Sequence, residues 1–436
     1  SLERAKKVPK GPSFVQKDNM DGSQPIVGGG YYGYSVDFDG TVRNEYELIT
    51  RYREMVLQPE CDSAVDDIVN ETICGNFDDV PVEVELSNLK ASEKIKKLIR
   101  EEFSEILRLL DFDNRAYEIF RRWYVDGRLF YHKVIDPNNP RGGLAELRYI
   151  DPRKIRKVTE YEQKRPEQLR GLDLNTQLTQ KAAEYFLYNP KGLKNSGSQQ
   201  GIKIASDSVT YCHSGIQDLN KNMTLSHLHK AIKAVNQLRM IEDSLVIYRL
   251  SRAPERRIFY IDVGNLPKNK AEQYLREVMG RYRNKLVYDA NTGEIKDDKK
   301  FMSMLEDFWL PRREGGRGTE ISTLPGGQNL GELEDVKYFQ KKLYKALNVP
   351  SSRLETETTF NIGRAAEITR DEVKFQKFIA RLRKRFSELF MDLLKTQLVL
   401  KGVMSIEEWE DMKEHIQFDF IADNYFTELK EIEIRN

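Results

Sequence analysis

The feature that most constrains the fold is a mixed segment, residues 254–327, bracketed by two stretches with helical periodicity. The first stretch covers residues 225–253 and is stopped by Pro254, which denies a helix its hydrogen bond. The second covers residues 328–350 and ends at Pro350. Because the chain leaves along one helix and returns along the other, we expect the mixed segment at the far end of a helical pair, where it would form a docking knob.

The rest of the chain is predicted to be helical around a smaller β-rich part. Apolar residues recur at helical spacing in residues 44–57, 60–74 and 92–110. Between residues 127 and 214 the period shifts toward two, which indicates paired strands. A long helix is predicted for residues 365–400. The predicted fold class is therefore mainly α with an α+β portion.

The charge balance limits the functions open to the chain. Lys and Arg together number 70 and Asp and Glu 69, so the formal net charge is +1. A protein that grips nucleic-acid phosphates over its whole surface is expected to be basic, whereas this near-neutral total allows only local basic patches. The sequence contains no run of 18 apolar residues, so no membrane span is predicted.

Motifs typical of enzymes are missing from the sequence. There is no G-x-x-x-x-G-K-[ST] nucleotide loop, and the glycine-rich run 326–331 lacks the lysine. Cys212-His213 and His227-x-His229 could be metal ligands in principle, but a structural role is favoured for both pairs. We therefore predict that the protein is not an enzyme and has no catalytic residue, no metal and no cofactor.

Several stretches resemble the portal proteins of T-even-type contractile-tailed bacteriophages. Residues 249–268 resemble that family's helix-to-clip junction, and residues 44–74 resemble its early wing helices. Residues 149–155 resemble a wing strand, residues 331–339 the second stem helix, and residues 363–370 the return into the long wing helix. These stretches follow the family's order over nearly the whole chain.

The resemblance implies the phage portal fold, with a wing, a two-helix stem, a clip and a crown, assembled as a ring of about twelve subunits. The implied divisions are an N-terminal arm or loop (1–40), a first part of the wing with α+β character (41–224), stem helix 1 (225–253), the clip (254–327), stem helix 2 (328–350), a tunnel loop (351–364), the long wing helix (365–402) and the crown (403–436).

Two groups of residues are candidate DNA contacts in the channel of such a ring. Lys337, Lys341 and Lys345 follow one another at i,i+4 spacing on stem helix 2, so they form a row that either faces the channel or is an ordinary solvated face. In the family the loop that follows narrows the channel; the alternative is a flexible surface loop. Its candidate phosphate contacts are Arg353, Thr356, Thr358, Thr359, Asn361 and Arg364.

Two further groups are candidate protein contacts. Arg249, Arg252, Arg256 and Arg257 cluster where stem helix 1 meets the clip, and salt bridges to the neighbouring subunit are favoured over DNA contacts. Six clip residues are candidate contacts for a packaging motor: Arg281, Arg283, Lys285, Glu306, Asp307 and Trp309. Of these, Trp309 could instead belong to the core.

The function implied by the resemblance is a conduit for double-stranded DNA during packaging and ejection, at one vertex of the virion capsid. The ring would also dock the terminase motor and then the neck and tail, and would nucleate head assembly. The expected partners are other copies of the chain, double-stranded DNA, the terminase large subunit, major capsid and scaffold proteins, and neck or tail-completion proteins. Assembly of the head is expected in the host cytoplasm. A stage at the inner face of the host membrane is implied only by the resemblance to the family.

Two alternatives stay open at this point. The first is another ring-forming head–tail adaptor or connector, although adaptors are usually much shorter and lack the order of stem, clip and stem. The second, a DNA-processing ATPase or nuclease, is less favoured because it needs a nucleotide or metal site that the sequence does not offer.

Overall fold

The structure is a computed structural model of the 436-residue chain. It describes residues 23–27, 30–31, 35–36, 42–73, 81–164, 178–193, 201–218, 223–252, 256–282, 286–288, 295–297, 308–312, 318–324, 333–354 and 362–420. The chain divides into two compact units: unit 1 comprises Ser1–Ile232 and Tyr344–Asn436, and unit 2 comprises Lys233–Leu343. No helix in the described ranges is long and apolar enough to cross a membrane.

The α-helices account for most of the regular structure. They are α1 (Glu45–Met55), α2 (Pro59–Thr72), α3 (Glu93–Leu110), α4 (Phe112–Asp126), α5 (Ile232–Arg252), α6 (Lys268–Tyr282), α7 (Glu334–Leu347), α8 (Ile362–Leu400) and α9 (Ile406–Met412). Short 3₁₀ helices occur at Pro140–Gly142, His227–Ala231, Ser351–Leu354 and Lys413–His415.

The strands are shorter and form several small sheets. They are β1 (Gln24–Val27), β2 (Gly30–Tyr31), β3 (Ser35–Val36), β4 (Val42–Arg43), β5 (Val82–Glu85), β6 (Arg128–Ile135), β7 (Leu144–Ile150), β8 (Ile155–Lys164), β9 (Leu178–Tyr188), β10 (Ile202–Ala205), β11 (Val209–His213), β12 (Ile216–Gln217), β13 (Thr224–Leu225), β14 (Arg256–Asp262), β15 (Leu286–Tyr288), β16 (Ile295–Asp297), β17 (Phe308–Arg312), β18 (Glu320–Leu324) and β19 (Gln417–Phe420).

Local signals explain where the first helices begin. The side chain of Asn44 accepts a hydrogen bond of 2.8 Å from the backbone N–H of Glu47, so it caps α1, the first of the helices predicted from periodicity. Ser92 caps α3 in the same way through the N–H of Ile95. The predicted apolar stripe of α3 is also confirmed, because Ile99, Phe103, Ile106 and Leu110 are buried on one side of this helix.

Helix α8 is the central element of the core of unit 1. Its fully buried Phe386 lies edge-on to Phe120 and Trp123 of α4, with ring centroids 5.1 and 5.4 Å apart. One turn further on, Phe390 packs against Phe103 of α3 at 5.6 Å. Aromatic pairs of this kind stabilise a core beyond what their buried area contributes, so they hold α3, α4 and α8 together.

The β-rich part of unit 1 contains a confirmed prediction. Strands β6 and β7 pair antiparallel, as the period-two pattern predicts, and β11 pairs with the other edge of β6. The larger sheet has the strand order β10-β9-β8-β1-β2, in which β8 and β9 form a long hairpin. Strand β11 lies against α8, which connects this region to the helical core.

The sequence analysis missed one short strand near each end of the chain. Residues 24–27, predicted as an arm or loop, form β1, which pairs in parallel with β8 from Gln24 opposite Val158. Residues 417–420, in the segment assigned to the crown, form β19 and pair antiparallel with β5. A strand of four residues is too short for its periodicity to be read locally, and in both cases its partner lies far away in the sequence.

Unit 2 contains the mixed segment. Its sheet has the order β17-β14-β18, with β14 parallel to β17 and antiparallel to β18. Helix α6 packs on one face of this sheet, where Ile261, Val263 and Ala271 are buried. The helix–mixed segment–helix order predicted from the sequence is present, with α5 before the sheet and α7 after it.

Candidate DNA-channel and docking residues

The predicted lysine row lies on α7. Lys337, Lys341 and Lys345 are all exposed, while Leu343 and Leu347 are buried on a different side of the helix. The neighbouring Lys342 lies about 100° further around the helix, so it is outside the row, and its ammonium donates to Oε1 of Gln237 at 2.8 Å. The structure therefore places three cations along one solvent-accessible line of a helix, as the i,i+4 spacing requires.

Arg353 does not fit the role predicted for it. It lies in the 3₁₀ helix Ser351–Leu354, and its guanidinium forms ion pairs with Glu71 at 3.4 Å and Glu372 at 3.2 Å. It also covers the ring of Phe375 at 4.6 Å. Burial lowers the pKa of Arg353, but the hydrogen bond and ion pair with Glu372 outweigh burial and raise it. These ion pairs connect α2 to α8 through Arg353. Because its guanidinium is already paired with two carboxylates of unit 1, Arg353 is a poor candidate for a phosphate contact.

The other residues of the predicted tunnel loop divide into two groups. Arg364 belongs to helix α8, which begins at Ile362, so the loop ends earlier than predicted. Thr356, Thr358, Thr359 and Asn361 lie outside the described residues. Their role as phosphate contacts stays a prediction.

The arginine cluster at the end of α5 is described only in part. Arg249 is partly buried, and its Nε atom is out of contact with solvent and has no hydrogen-bond partner within the described part of the chain. Arg257 is exposed on β14, opposite Thr323 of β18. Arg252 and Arg256 lie at the end of α5 and the start of β14, and their side chains are outside the described set.

Trp309 is partly buried and is engaged within unit 2. Its ring stacks on Phe259 with centroids 4.3 Å apart and planes inclined by 12°. It packs with Phe259 against the buried cluster between α6 and β14. The exposed aromatic of this strand is its neighbour Phe308, at 41% exposure. Strand alternation places adjacent side chains on opposite faces, so a one-residue difference decides which of the two is accessible.

The other predicted docking residues fall beyond the side chains that the structure describes. Arg281 lies on α6, and Arg283, Lys285, Glu306 and Asp307 lie outside the described residues. Their contact with a motor stays a prediction.

The cysteine and histidine pairs are engaged with core partners. The thiol of Cys212 is 3.6 Å from the carbonyl oxygen of Arg385, and burial raises its pKa well above normal. His227 stacks on Tyr124 at 5.0 Å, and His229 Nδ1 is 2.8 Å from the hydroxyl of Tyr52. Within the described ranges, no cluster of three or more His, Cys, Asp or Glu side chains is arranged to hold a metal ion.

An ionic network around the buried carboxylate of Asp126, which sequence reasoning missed, joins α1, the end of α4 and the β7–β8 connection of unit 1. Arg53 of α1 donates to both carboxylate oxygens of Asp126 at 2.9 and 2.7 Å, and contacts Asp151 at 3.3 Å. Burial raises the pKa of Asp126 against the opposing effect of Arg53. For Asp151, burial is overcome by Arg153 and Arg53, and its pKa falls to about 2. No local signal marks these residues, because Arg53 and Asp126 are 73 positions apart.

The family model and two relatives in sequence agree with one another. Residues 45–436 match a family model described as bacteriophage T4-like portal protein (Gp20). The portal protein of Vibrio phage KVP40 is 41% identical over 452 residues, covering 99% of this chain and 86% of that protein. The portal protein of Salmonella phage ViI is 41% identical over 435 residues, covering 96% of this chain and 77% of that protein. One solved structure, titled as the neck of a native GTA particle with C12 symmetry, is 13% identical, with a TM-score of 0.46 and coverage of 90% of this chain and 89% of that one.

The matches span nearly the whole chain, so the protein is a structural component of a phage particle. Within that class, the chain belongs to the bacteriophage T4-like portal protein family. The resemblance predicted from the order of the sequence stretches is therefore confirmed.

Proposed function

We propose that about twelve copies of the chain close into a ring at one capsid vertex and that double-stranded DNA enters and leaves the head through it. The single observation that carries this proposal is the family match along residues 45–436. The ring would also dock the terminase large subunit and then the neck and tail, and nucleate head assembly with major capsid and scaffold proteins. In this proposal the motor supplies force from outside, and the ring is a passive or gated conduit without enzyme activity of its own.

The order of elements in unit 2 supports the assignment of stem and clip. Helix α5 would be stem helix 1, the sheet with α6 the clip, and α7 stem helix 2. Unit 1 would then supply the wing, with α8 as its long helix. A mixed segment held between two helices is well placed to present a docking surface.

The helix dimensions make a duplex-sized channel reasonable. If twelve stem helices line the ring at an interaxial distance of about 9 Å, the circumference is about 110 Å and the radius to the helix axes about 17 Å. Subtracting about 5 Å for the helix and its side chains leaves a hole about 24 Å wide. Such a hole admits one duplex and excludes two, so spacing alone would select the substrate.

Electron microscopy of the purified chain tests the proposal directly. Class averages viewed down the particle axis should show a closed ring of about twelve subunits around a duplex-wide hole. Open filaments or monomers under conditions in which the chain is folded would contradict it, because a conduit requires closure.

The lysine row on α7 yields a prediction that depends on this ring. Replacing Lys337, Lys341 and Lys345 with glutamine should leave ring formation intact and weaken binding of linear duplex DNA. The slope of log affinity against log salt should flatten by about one for each phosphate that the variant no longer neutralises. Binding at several salt concentrations measures this, and the matched control replaces three exposed lysines of unit 1, Lys94, Lys97 and Lys384. Equal slopes for the row variant and the control variant would mean that the row is an ordinary solvated face.

A further inference from the structure

Unit 1 contains a cavity that the proposed function does not use. Its volume is about 690 Å³, which is within the range of sites for small molecules, roughly 300–1,000 Å³. It lies between the start of the 3₁₀ helix His227–Ala231, the β11–β12 connection, the exit of α7 and one side of α8. All of its lining residues belong to unit 1.

The charge of the cavity has one sign. Its described lining includes three cationic side chains, Lys230, Arg381 and Arg385, and no carboxylate. Arg385 is already engaged, because its guanidinium pairs with Glu388 at 2.7 Å and contacts Nε2 of His213 at 2.9 Å. Lys230 and Arg381 have no carboxylate within ion-pair distance among the described residues. Two cations without a carboxylate partner, beside a third that is paired with Glu388, give the concave surface a positive potential that attracts an anion.

Backbone geometry holds the polar side of the cavity in place. Gly215 has a φ of +79°, and a Cβ at this position would lie 2.8 Å from Nε of Arg385. Only glycine therefore allows the guanidinium to sit against this turn. Asn348 also has a positive φ, of 61°, which asparagine tolerates better than most residues, and it brings a side-chain amide to the cavity at the exit of α7.

Part of the cavity wall is aromatic. Tyr124, His227 and Phe378 line it, with the rings of Tyr124 and His227 stacked and inclined by only 7°. Burial, with a smaller contribution from Lys230, lowers the pKa of His227 to about 3, so this ring is neutral under ordinary conditions. A neutral, π-rich surface beside cationic side chains suits a ligand with an apolar or aromatic body and an anionic group.

We propose that this cavity binds a small organic phosphate, with the phosphate against Lys230, Arg381 and Arg385 and the organic part against the aromatic wall. Arginine favours phosphate because its planar fork donates two parallel hydrogen bonds. Inorganic phosphate alone fills only part of a space of this size, so an attached ring system should improve binding. The proposal is independent of the ring and of the DNA channel.

Isothermal titration calorimetry on the purified full-length chain tests the proposal. The probes are adenosine monophosphate, inorganic phosphate and adenosine, each at the same ionic strength in chloride buffer. Adenosine monophosphate should bind with about one site per chain, inorganic phosphate more weakly, and adenosine the most weakly. Lys230→Gln and Arg381→Gln should each weaken binding of the nucleotide by about tenfold or more, as expected for a hydrogen bond to a charged group.

The matched control is Lys384→Gln, which removes one charge from the same helix as Arg381 without touching the cavity. It should bind the nucleotide like the unaltered chain. Because Lys230, Arg381 and Lys384 are all exposed, the three variants should fold normally, which circular dichroism checks. Equal binding by all three variants, or no heat with any probe, would overturn the proposal. Binding to separated subunits that is absent from closed rings would also overturn it, because another copy would then occupy the cavity.

Discussion

Replacing Arg53 with leucine is expected to lower the free energy of unfolding of unit 1 by about 3–5 kcal/mol. The variant leaves the carboxylate of Asp126, which is 2% exposed, without its bidentate partner. An unpaired buried charge keeps its full desolvation cost, and Asp151 cannot relieve it because it is also an acid. Since α1, α4 and the β7–β8 connection meet at this network, we expect the variant to form rings poorly or not at all.

Urea denaturation followed by tryptophan fluorescence measures this effect. Of the three tryptophans, Trp123 and Trp409 are buried in unit 1, so a Trp309→Phe background restricts the signal to that unit. The control is Arg148→Leu, since Arg148 also forms a two-bonded pair, with Glu146, but on the surface. The control should cost no more than about 1 kcal/mol.

The double variant Arg53→Leu/Asp126→Leu distinguishes the cost of an unpaired buried charge from the loss of the ion pair itself. Removing both charges leaves no unpaired ion, so much of the stability that the single variant loses should return. If the single variant costs no more than Arg148→Leu, or if the double variant is no more stable than the single one, the buried charge is not the cause of the loss.

Unit 1 is expected to lose about 2 kcal/mol of stability between pH 7 and pH 5 through His227 alone. In the folded state its pKa is about 3, below the ordinary value of 6.5, because burial disfavours the charged ring and Lys230 adds repulsion. The unfolded chain therefore binds a proton in this range that the folded chain does not. The contribution of neutral His227 to stability is complete above the pKa that the histidine has in the unfolded chain, 6.5. It is lost as the pH falls toward the pKa in the folded chain, about 3.

The variant His227→Phe isolates this contribution. Phenylalanine preserves the stacking on Tyr124, at 5.0 Å in the structure, and cannot be protonated. The difference in unfolding free energy between pH 7 and pH 5 should be smaller in the variant than in the unaltered chain, by about 2 kcal/mol. His415→Gln, at an exposed histidine, controls for the removal of a histidine as such. An equal loss of stability in the His227→Phe variant and the unaltered chain would show that this ring does not stay neutral when buried.

The spacing of the candidate site residues along a helix could be predicted from the sequence, but the contacts that their side chains make could not. The i,i+4 lysines of α7 are exposed as a row because helical periodicity alone places them so. Arg353 and Trp309 were assigned from their position in the chain, and both are used inside their own units, by Glu372 and by Phe259 respectively. The sequence around a charged or aromatic residue does not show whether its side chain is available to another molecule or already contacts a residue of its own chain.

The sequence by itself determined the family, helices α1, α2, α3, α5, α7 and α8, and the β6–β7 hairpin. Each of these is encoded by neighbouring residues: the order of recognisable stretches, the cap at Asn44, and the period-two pattern on either side of a turn. Tertiary structure alone decided the parallel pairing of β1 with β8, the pairing of β19 with β5, the Arg53 network and the cationic cavity. These features join residues that are tens to hundreds of positions apart, and their stability comes from burial and from partners across the core. Local periodicity records which face of an element is apolar, but it does not record what packs against that face.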